Sequence, residues 1–542
     1  MVIIFGSFYL TVIYAILLTF GRIGLVLVIS VFLALILGVL AAKVRAAEAI
    51  IIPITDVLEA VPVVSFFPII LVFFIVRIGG SFGTEMAVDF LLVTAVLWNL
   101  ILGVYQSVLH IPKEYESVTK VYKIGILGKL RRLYAPAAFP SIIANIMPSF
   151  ASALFYITLT EVMTIGNKNY EVFGVGTLSV QLANVGNYTG IIIVIMFLIV
   201  AIGLTFYFFI NPLIKIAEKY KFESNMPANV TTTQRKQNAF VTVIGERINQ
   251  VIGSTQSAIA VVNRSIPRRD KDSRKQLKFS DRVVNIIVGS TLVVVLLITL
   301  YFVAESGFSS AFTKYILDPY YLKIFGIATL YDLARIGIVF AISLGTMVPL
   351  AVFFGRRKVS GRFSTGIFQI LYSIPSPVLL PLIVIFLTPR LSVFLGEGLA
   401  FNADVMLIAY LSAASYIFFN VYGSAISIPN ELDVIANTYK LSRWMKIRYL
   451  SFPAIVPGLI TGSMSAVGSY WGGLLVAEYV TFNGKTFAVK HGLMLLISKA
   501  IASGNLVYAD AIDIFMVILV VILTFVVWVR LYRYSEKRFT YD

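Results

Sequence analysis

The sequence predicts an all-α polytopic membrane protein made of two tandem parallel repeats, with five transmembrane helices in the first and six in the second. Three observations predict it. The 542 residues are 59% hydrophobic and only 13% charged, against about 25% charged in an ordinary soluble domain. Several apolar runs exceed the roughly 18 residues needed to cross a bilayer. A polar pattern also recurs at one spacing: Pro112, Glu114, Tyr122, Lys123, Pro136, Pro140 and Glu161 are matched 317 residues later by Pro429, Glu431, Tyr439, Lys440, Pro453, Pro457 and Glu478. Chemically distinct positions that keep one offset indicate a unit duplicated and fused.

In the first repeat the apolar runs fall at about 10–42, 58–78, 86–108, 142–165 and 188–213. In the second they fall at about 283–304, 326–355, 370–388, 403–425, 456–480 and 511–532. The Lys/Arg-rich connections are 43–48, 113–132, 215–282, 356–362, 440–448 and the C-terminal tail with Arg530, Arg533, Lys537 and Arg538. Eleven spans put all six connections on one face, which the positive-inside bias makes the cytoplasmic one. The expectation is a multi-pass cell-membrane protein with its N-terminus outside and its C-terminus in the cytoplasm. The first run continues past residue 40 without a basic leader, so it reads as a span and not as a cleaved signal peptide. An alternative folds residues 1–42 into two short helices turning near Gly21-Arg22, giving twelve spans. Arg22 and Gly24 align with Arg335 and Gly337 at an offset of 313, which favours one span.

The change from 313 to 317 suggests a four-residue insertion near residues 79–98. At the earlier offset Pro62 and Pro68 align with Pro375 and Pro381. Prolines inside spans either kink a helix for packing or mark a bend beside a substrate path. Because the halves share orientation, an axis along the membrane normal should relate them, with a central path between.

The organisation expected is a first repeat at 1–214, a linker at 215–282 and a second repeat at 283–542. The linker holds fourteen Lys/Arg against six Asp/Glu and reads as a cytoplasmic tether whose basic run is solvated and enforces orientation, with contact to anionic headgroups of the lipid bilayer as the alternative. The net charge of +17 therefore reflects orientation and does not indicate a nucleic-acid partner. There is no cysteine, which excludes disulfides and thiol chemistry.

The duplicated loops carry the functional signal. IPNELDVIANTYKLSRWMKIRYLSFPAIVP, from Ile428 to Pro457, and IPKEYESVTKVYKIGILGKLRRLYAPAAFP, from Ile111 to Pro140, each open on a proline followed by acids. Both then continue through apolar residues at helical spacing to a basic stretch and a Pro-x3-Pro pair. A proline at the helix start and acids in its first turn favour a short helix there.

Here the chain resembles the permease subunits of ABC importers and their EAA loop, Pro-x2-Glu-x2-Glu-Ala-Ala-x3-Gly. The nitrate/taurine/sulfonate type fits best, on Ile374-Pro375 with Pro381, Asn420, Ser442-Arg443-Trp444, and Trp471 ahead of Ala477-Glu478. The resemblance covers about 326–534 well and 10–213 more weakly. The signature glutamate is replaced by Ser117 and Val434, and the loop glycine by Lys123 and Lys440. The resemblance implies two ABC ATPase subunits as partners, one per loop, an extracytoplasmic substrate-binding protein and a small anionic solute. It implies coupling-loop roles for Glu114, Glu116, Tyr122, Lys123, Gly125, Glu431, Asp433, Ala436, Tyr439, Lys440, Ser442 and Arg443. Candidates for the translocation path are Arg22, Arg335, Pro62, Pro375, Trp471, Glu161 and Glu478. Arg22 and Arg335 either line the path or snorkel to the outer interface. Glu161 and Glu478 are expected to shape the outer gate.

No Walker A loop is present: Gly484-Lys485-Thr486 has Tyr479 where the upstream glycine is required. The expectation is a transport subunit and not an enzyme, with no cofactor of its own and ATP bound by its partners. His110 and His491 lack metal-ligand spacing. A secondary transporter built from repeats is the alternative, weakened by spans that read as poor in ionisable residues.

Overall fold

The computed structural model describes residues 7–60, 63, 70–165, 168–220, 309–356, 368–426, 428, 430–528 and 530–531. Most of the linker, the run expected at 283–304, Pro62, Pro68 and nearly all of the C-terminal tail lie outside the described residues.

Helix α1 spans Phe8–Lys43 without a break at Gly21 or Arg22, so the alternative of two short helices is not realised. One stripe, with Val12, Ala15, Thr19, Ile23, Val26, Ser30 and Ala34, is buried. The other faces expose Leu17, Leu25, Val28 and Phe32. A helix apolar all round but covered on one stripe has its bare face in lipid. Among the described residues, seven helices are long and apolar enough to cross a membrane, or nine when two bent pairs are each counted as one span. The chain is a multi-pass membrane protein.

The first repeat continues with α2 (Arg45–Ala60), a π-wound segment (Leu71–Ile78), α3 (Gly80–Leu109), the loop helices α4 (Lys113–Val121) and α5 (Ile126–Lys129), and the return helix α6 (Ala135–Thr160). A hairpin follows, β1 (Val162–Ile165) paired antiparallel with β2 (Lys168–Glu171), then α7 (Val175–Asn184), α8 (Tyr188–Thr205) and α9 (Asn211–Glu218). The second repeat runs α10 (Ser309–Leu317), α11 (Pro319–Gly355), α12 (Ser376–Phe386), α13 (Thr388–Leu395), α14 (Glu397–Ile426), α15 (Asn430–Thr438), α16 (Arg443–Lys446) and α17 (Phe452–Ala477). It ends with β3 (Tyr479–Phe482), β4 (Lys485–Ala488), α18 (Leu493–Ala502) and α19 (Leu506–Leu523).

The duplication is literal. Helices α3 and α14 have 30 residues each, α6 and α17 have 26, α7 and α18 have 10, and α8 and α19 have 18. Local chemistry repeats too. Asn187 caps α8 by accepting from the Gly190 N–H, and Asn505 caps α19 by accepting from the Tyr508 N–H. The β3–β4 turn is Asn483-Gly484, both at positive φ, the geometry a two-residue hairpin needs. The four-residue shift lies before residue 71 and not at 79–98. Gly79 and Gly396 already stand 317 apart and share φ values of 72° and 77°. The apolar run between them offered no landmark to show this.

Two expected spans are broken. In the run at about 58–78, α2 stops at Ala60 and the chain resumes π-wound at Leu71. In the run at 370–388, Pro375 precedes the first turn of α12, and the chain bends by 53° between α12 and α13, where Pro389 stands. The return segment bends by 48° at Pro148. Proline removes a helix hydrogen bond and clashes with the preceding turn, which accounts for these bends.

Pairing of α3 with α1 and α6, and of α14 with α11 and α17, builds each half. The halves then interlock: α12 lies against α6, α7 and α8, α2 lies against α17 and α19, and each hairpin touches the other half's short helix. Glycine permits the closest approach. A Cβ on Gly462 of α17 would lie 2.8 Å from the Tyr416 carbonyl oxygen of α14. Gly462→Val should therefore cost about 1–3 kcal/mol by overpacking. Gly337→Ala, with open space around it, should be neutral or stabilising by up to about 1 kcal/mol. Thermal unfolding in detergent measures both, and equal shifts would contradict this packing.

Candidate functional site

Each repeat carries one buried arginine centre at its hairpin end. In the first, Arg22 of α1 grips Glu85 of α3 with Nε and Nη2, both at 2.9 Å. Its Nη1 reaches Glu161 at 3.4 Å and the Phe173 carbonyl at 3.0 Å. Glu161 is fully buried. It accepts from the Thr19 hydroxyl at 2.6 Å and from the Gly176 N–H at 2.7 Å, while Thr19 accepts from the Val175 N–H.

In the second, Arg335 of α11 bonds Asp332 and Glu478, both at 2.8 Å, with Asn402 at 2.9 Å and the His491 carbonyl at 2.7 Å. Asp332 accepts from the Leu493 N–H at 2.7 Å, and Glu478 accepts from the Leu495 N–H at 2.8 Å. In both repeats the carboxylate sits on the first turn of the short helix α7 or α18. There free N–H groups and the helix dipole stabilise negative charge. The glycine before each helix leaves room, because a Cβ on Gly174 or Gly492 would fall 2.0 or 2.1 Å from a glutamate oxygen.

The centres are not copies. Thr19 stands where the second repeat has Asp332, and Asn402 stands where the first has Glu85. Each centre holds one arginine and two carboxylates, but the second acid has moved from α3 to the arginine's own helix. Glu85 is 42% exposed, whereas Asp332 and Glu478 are fully buried.

At the opposite end of the bundle the loops form two surfaces of the same backbone. Each loop helix ends in a Schellman turn. Ile124 N–H bonds Thr119 C=O and Lys123 N–H bonds Lys120 C=O; likewise Leu441 bonds Ala436 and Lys440 bonds Asn437. The residue after the cap is Lys123 or Lys440, both at φ 50°. The loop position expected to be glycine is thus a left-handed one, where a lysine costs about 1–2 kcal/mol. Around these turns large apolar side chains face outward: Tyr122, Ile126 and Leu127 in the first loop, Val434, Tyr439 and Trp444 in the second, all more than 60% exposed. Ile124, Leu127, Gly128, Arg131 and Arg132 border a depression of about 650 Å³. Glu116 is ion-paired with Lys43 of α1, tying loop to span.

The structure therefore gathers Glu114, Glu116, Tyr122, Lys123 and Gly125 in one loop, and Ala436, Tyr439, Lys440 and Ser442 in the other. The side chains of Glu431, Asp433 and Arg443 lie outside the described residues, as does Pro62. Among the expected path residues, Arg22 joins Glu161 and Arg335 joins Glu478, each arginine held against carboxylates and not turned to an open channel. Pro375 is buried beside α12, and Trp471 is 1% exposed within the core. Thr19, Glu85, Asp332 and Asn402 were missed as site residues, although the 313 and 317 offsets place all four opposite one another. The reading of spans poor in ionisable groups is corrected as well. Asp404, Asp510 and Asp513 are buried within α14 and α19, hidden among apolar neighbours in sequence.

Binding-protein-dependent transport system inner membrane components match the chain twice, over residues 34–217 and 347–541. Two curated relatives are nitrate import permease proteins NrtB. That of Synechococcus elongatus is 23% identical over 181 residues, covering 32% of this chain and 61% of the relative. That of Synechocystis sp. is 24% identical over 168 residues, covering 30% of this chain and 57% of the relative. The chain thus spans about three fifths of the length of these relatives.

Removing Glu478 would take one of two carboxylates from a buried guanidinium that keeps Asp332, and would leave the buried Leu495 N–H without its acceptor, so Glu478→Ala should cost about 1–3 kcal/mol. Glu85→Ala, losing a half-exposed partner, should cost no more than about 1 kcal/mol. Equal losses in thermal unfolding would contradict the difference in burial. In the loops, Lys123→Gly and Lys440→Gly should each stabilise by about 1 kcal/mol by relieving left-handed strain; destabilisation would contradict it.

Proposed function

The chain belongs to the binding-protein-dependent transport system inner membrane components, and we propose that it is a whole permease pair of an ATP-driven importer in one polypeptide. One observation carries this: two loops that share one backbone turn, at one end of the bundle, each presenting large apolar side chains that nothing among the described residues covers. Exposed apolar patches rimmed by charge mark protein interfaces. Two such patches suit two ATP-hydrolysing subunits, one per loop. Each short helix is tied to spans on both sides, α3 and α6 or α14 and α17, so a push on it moves the bundle.

In this reading the loop end is cytoplasmic, the N-terminus is outside and the membrane is the cell membrane. An extracytoplasmic binding protein delivers solute at the hairpin end. The chain holds no nucleotide or other cofactor, and ATP is bound by the partners. The names of the two relatives support nitrate or another small anion as the solute. Asp510 and Asp513 of α19 are buried, with Asp510 Oδ1 and both carboxylate oxygens of Asp513 lacking a hydrogen-bond partner among the described residues, and they give the ion-coupled alternative a foothold.

The test is retention of the ATPase. The full chain purified from its native membranes should carry a polypeptide labelled by a photoreactive ATP analogue. Tyr122→Asp with Tyr439→Asp should weaken that association more than about 30-fold, as expected for central interface anchors worth 2 kcal/mol or more. Undiminished labelling in the double variant, or solute uptake that persists without ATP, would defeat the proposal.

A further inference from the structure

The two return helices meet at their own repeat counterparts. Gly472 of α17 is the counterpart of Phe155 of α6 at the 317 offset. A Cβ on Gly472 would lie 3.4 Å from the Phe155 ring and 3.3 Å from the Tyr156 hydroxyl. Two equivalent positions can touch each other only where the axis relating the halves passes between them.

Three residues away is a second self-pairing. Ser152 and Ser469 are also counterparts, and both face one hydroxyl. Ser152 Oγ is 2.8 Å from Tyr416 OH, and the Ser469 side chain reaches the same hydroxyl. Tyr416 comes from α14. Its own counterpart is Asn99, too short to reach across, so a single tyrosine crosses the axis.

We infer that Tyr416 closes the solute path: its hydroxyl, set between Ser152 and Ser469 on the axis, is the point a passing solute must displace. This rests on the permease-pair reading given above. Ser152 and Ser469 each precede the buried glutamate of their repeat by nine residues, which places the closure about 14 Å from the arginine centres at 1.5 Å per helical residue. The ligand chemistry follows from the lining. The freed serine and tyrosine hydroxyls donate hydrogen bonds, so the solute that fits is a small hydrogen-bond acceptor. Among the described residues the carboxylate of Glu59 from α2 places negative charge near the Tyr416 hydroxyl, so an anion is repelled and not held there at rest. The closure is a barrier and not a storage site. Fusion makes it possible, because two identical subunits would bring two tyrosines or none to the axis.

The test uses the full chain in phosphatidylcholine–phosphatidylglycerol vesicles, without ATPase, with iodide entry read by quenching of a trapped quinolinium dye. Tyr416→Ala should raise iodide entry at least tenfold over the unaltered chain, and Glu59→Gln added to it should raise entry further. Tyr422→Ala is the control: it removes a buried ring from the same helix, one that stacks on Phe418. No leak from Tyr416→Ala, or an equal leak from Tyr422→Ala, overturns the inference. A second measurement does not depend on a leak. The natural chain has no cysteine, so Ser152→Cys with Ser469→Cys carries only two thiols. Dibromobimane should bridge them into a fluorescent adduct within one chain. Failure to bridge in protein that still elutes as a folded species overturns the inference. Loss of ATPase retention in the unaltered chain would instead remove the permease-pair reading, and the leak experiment is blind to that.

Discussion

A carboxylate buried in a membrane protein keeps its charge only where that charge is answered by cations and hydrogen-bond donors. Glu161 and Glu478 meet that condition by the same means: an arginine from the long helix α1 or α11, and N–H groups from the first turn of a short helix. Four pieces of each repeat must be in place for this. They are the span with the arginine, the span beside it, the return helix that ends at the glutamate, and the hairpin that swings the short helix back. The architecture of the hairpin end follows from that requirement, including Gly174 and Gly492, where any side chain would strike the carboxylate.

From that fixed corner each return helix runs 26 residues back toward its loop, and the first of them bends by 48° at Pro148 on the way. The exposed loop surface is at one end, the arginine centre at the other, and the contact between counterpart residues lies between them. The loop and the axis thus lie on the same return helix in each repeat. The halves differ where a moving part needs them to. The first centre leans on half-exposed Glu85 of a neighbouring span, while the second keeps its acid on the arginine's own helix. The first corner thus links α1 and α3 by a charged pair where the second links α11 and α14 by the neutral Asn402.

Much of this was legible in the sequence because it depends on spacing. The offset of 317 found the loops, the return helices and both glutamates. The arginines were found at 313, and their helix proved continuous. Lys123 and Lys440 were noted as replacing a glycine, but their left-handed φ is a property of the Schellman turn, which a list of residues does not display. Thr19 and Glu85 were illegible for a different reason. A hydroxyl in an apolar helix is unremarkable alone, and one acid on a span gives no sign of its partner. Only the folded pairing shows that Thr19 and Asp332 capture the same backbone N–H, or that Glu85 and Asn402 face equivalent guanidinium edges. The contact of Phe155 with Gly472 was out of reach as well, since a duplication reveals which positions correspond and not which of them touch.

The two arginine centres are one device with the second acid relocated. Converting one arrangement into the other tests it most directly. Thermal unfolding should be compared for Glu85→Asn, for Thr19→Asp and for the two together in the first repeat. The account predicts that Thr19→Asp alone destabilises, by crowding a third acid around Arg22, and that the double variant regains most of that loss by reproducing the arrangement of Asp332 and Asn402. Losses that simply add, with no coupling between the two sites, would contradict it.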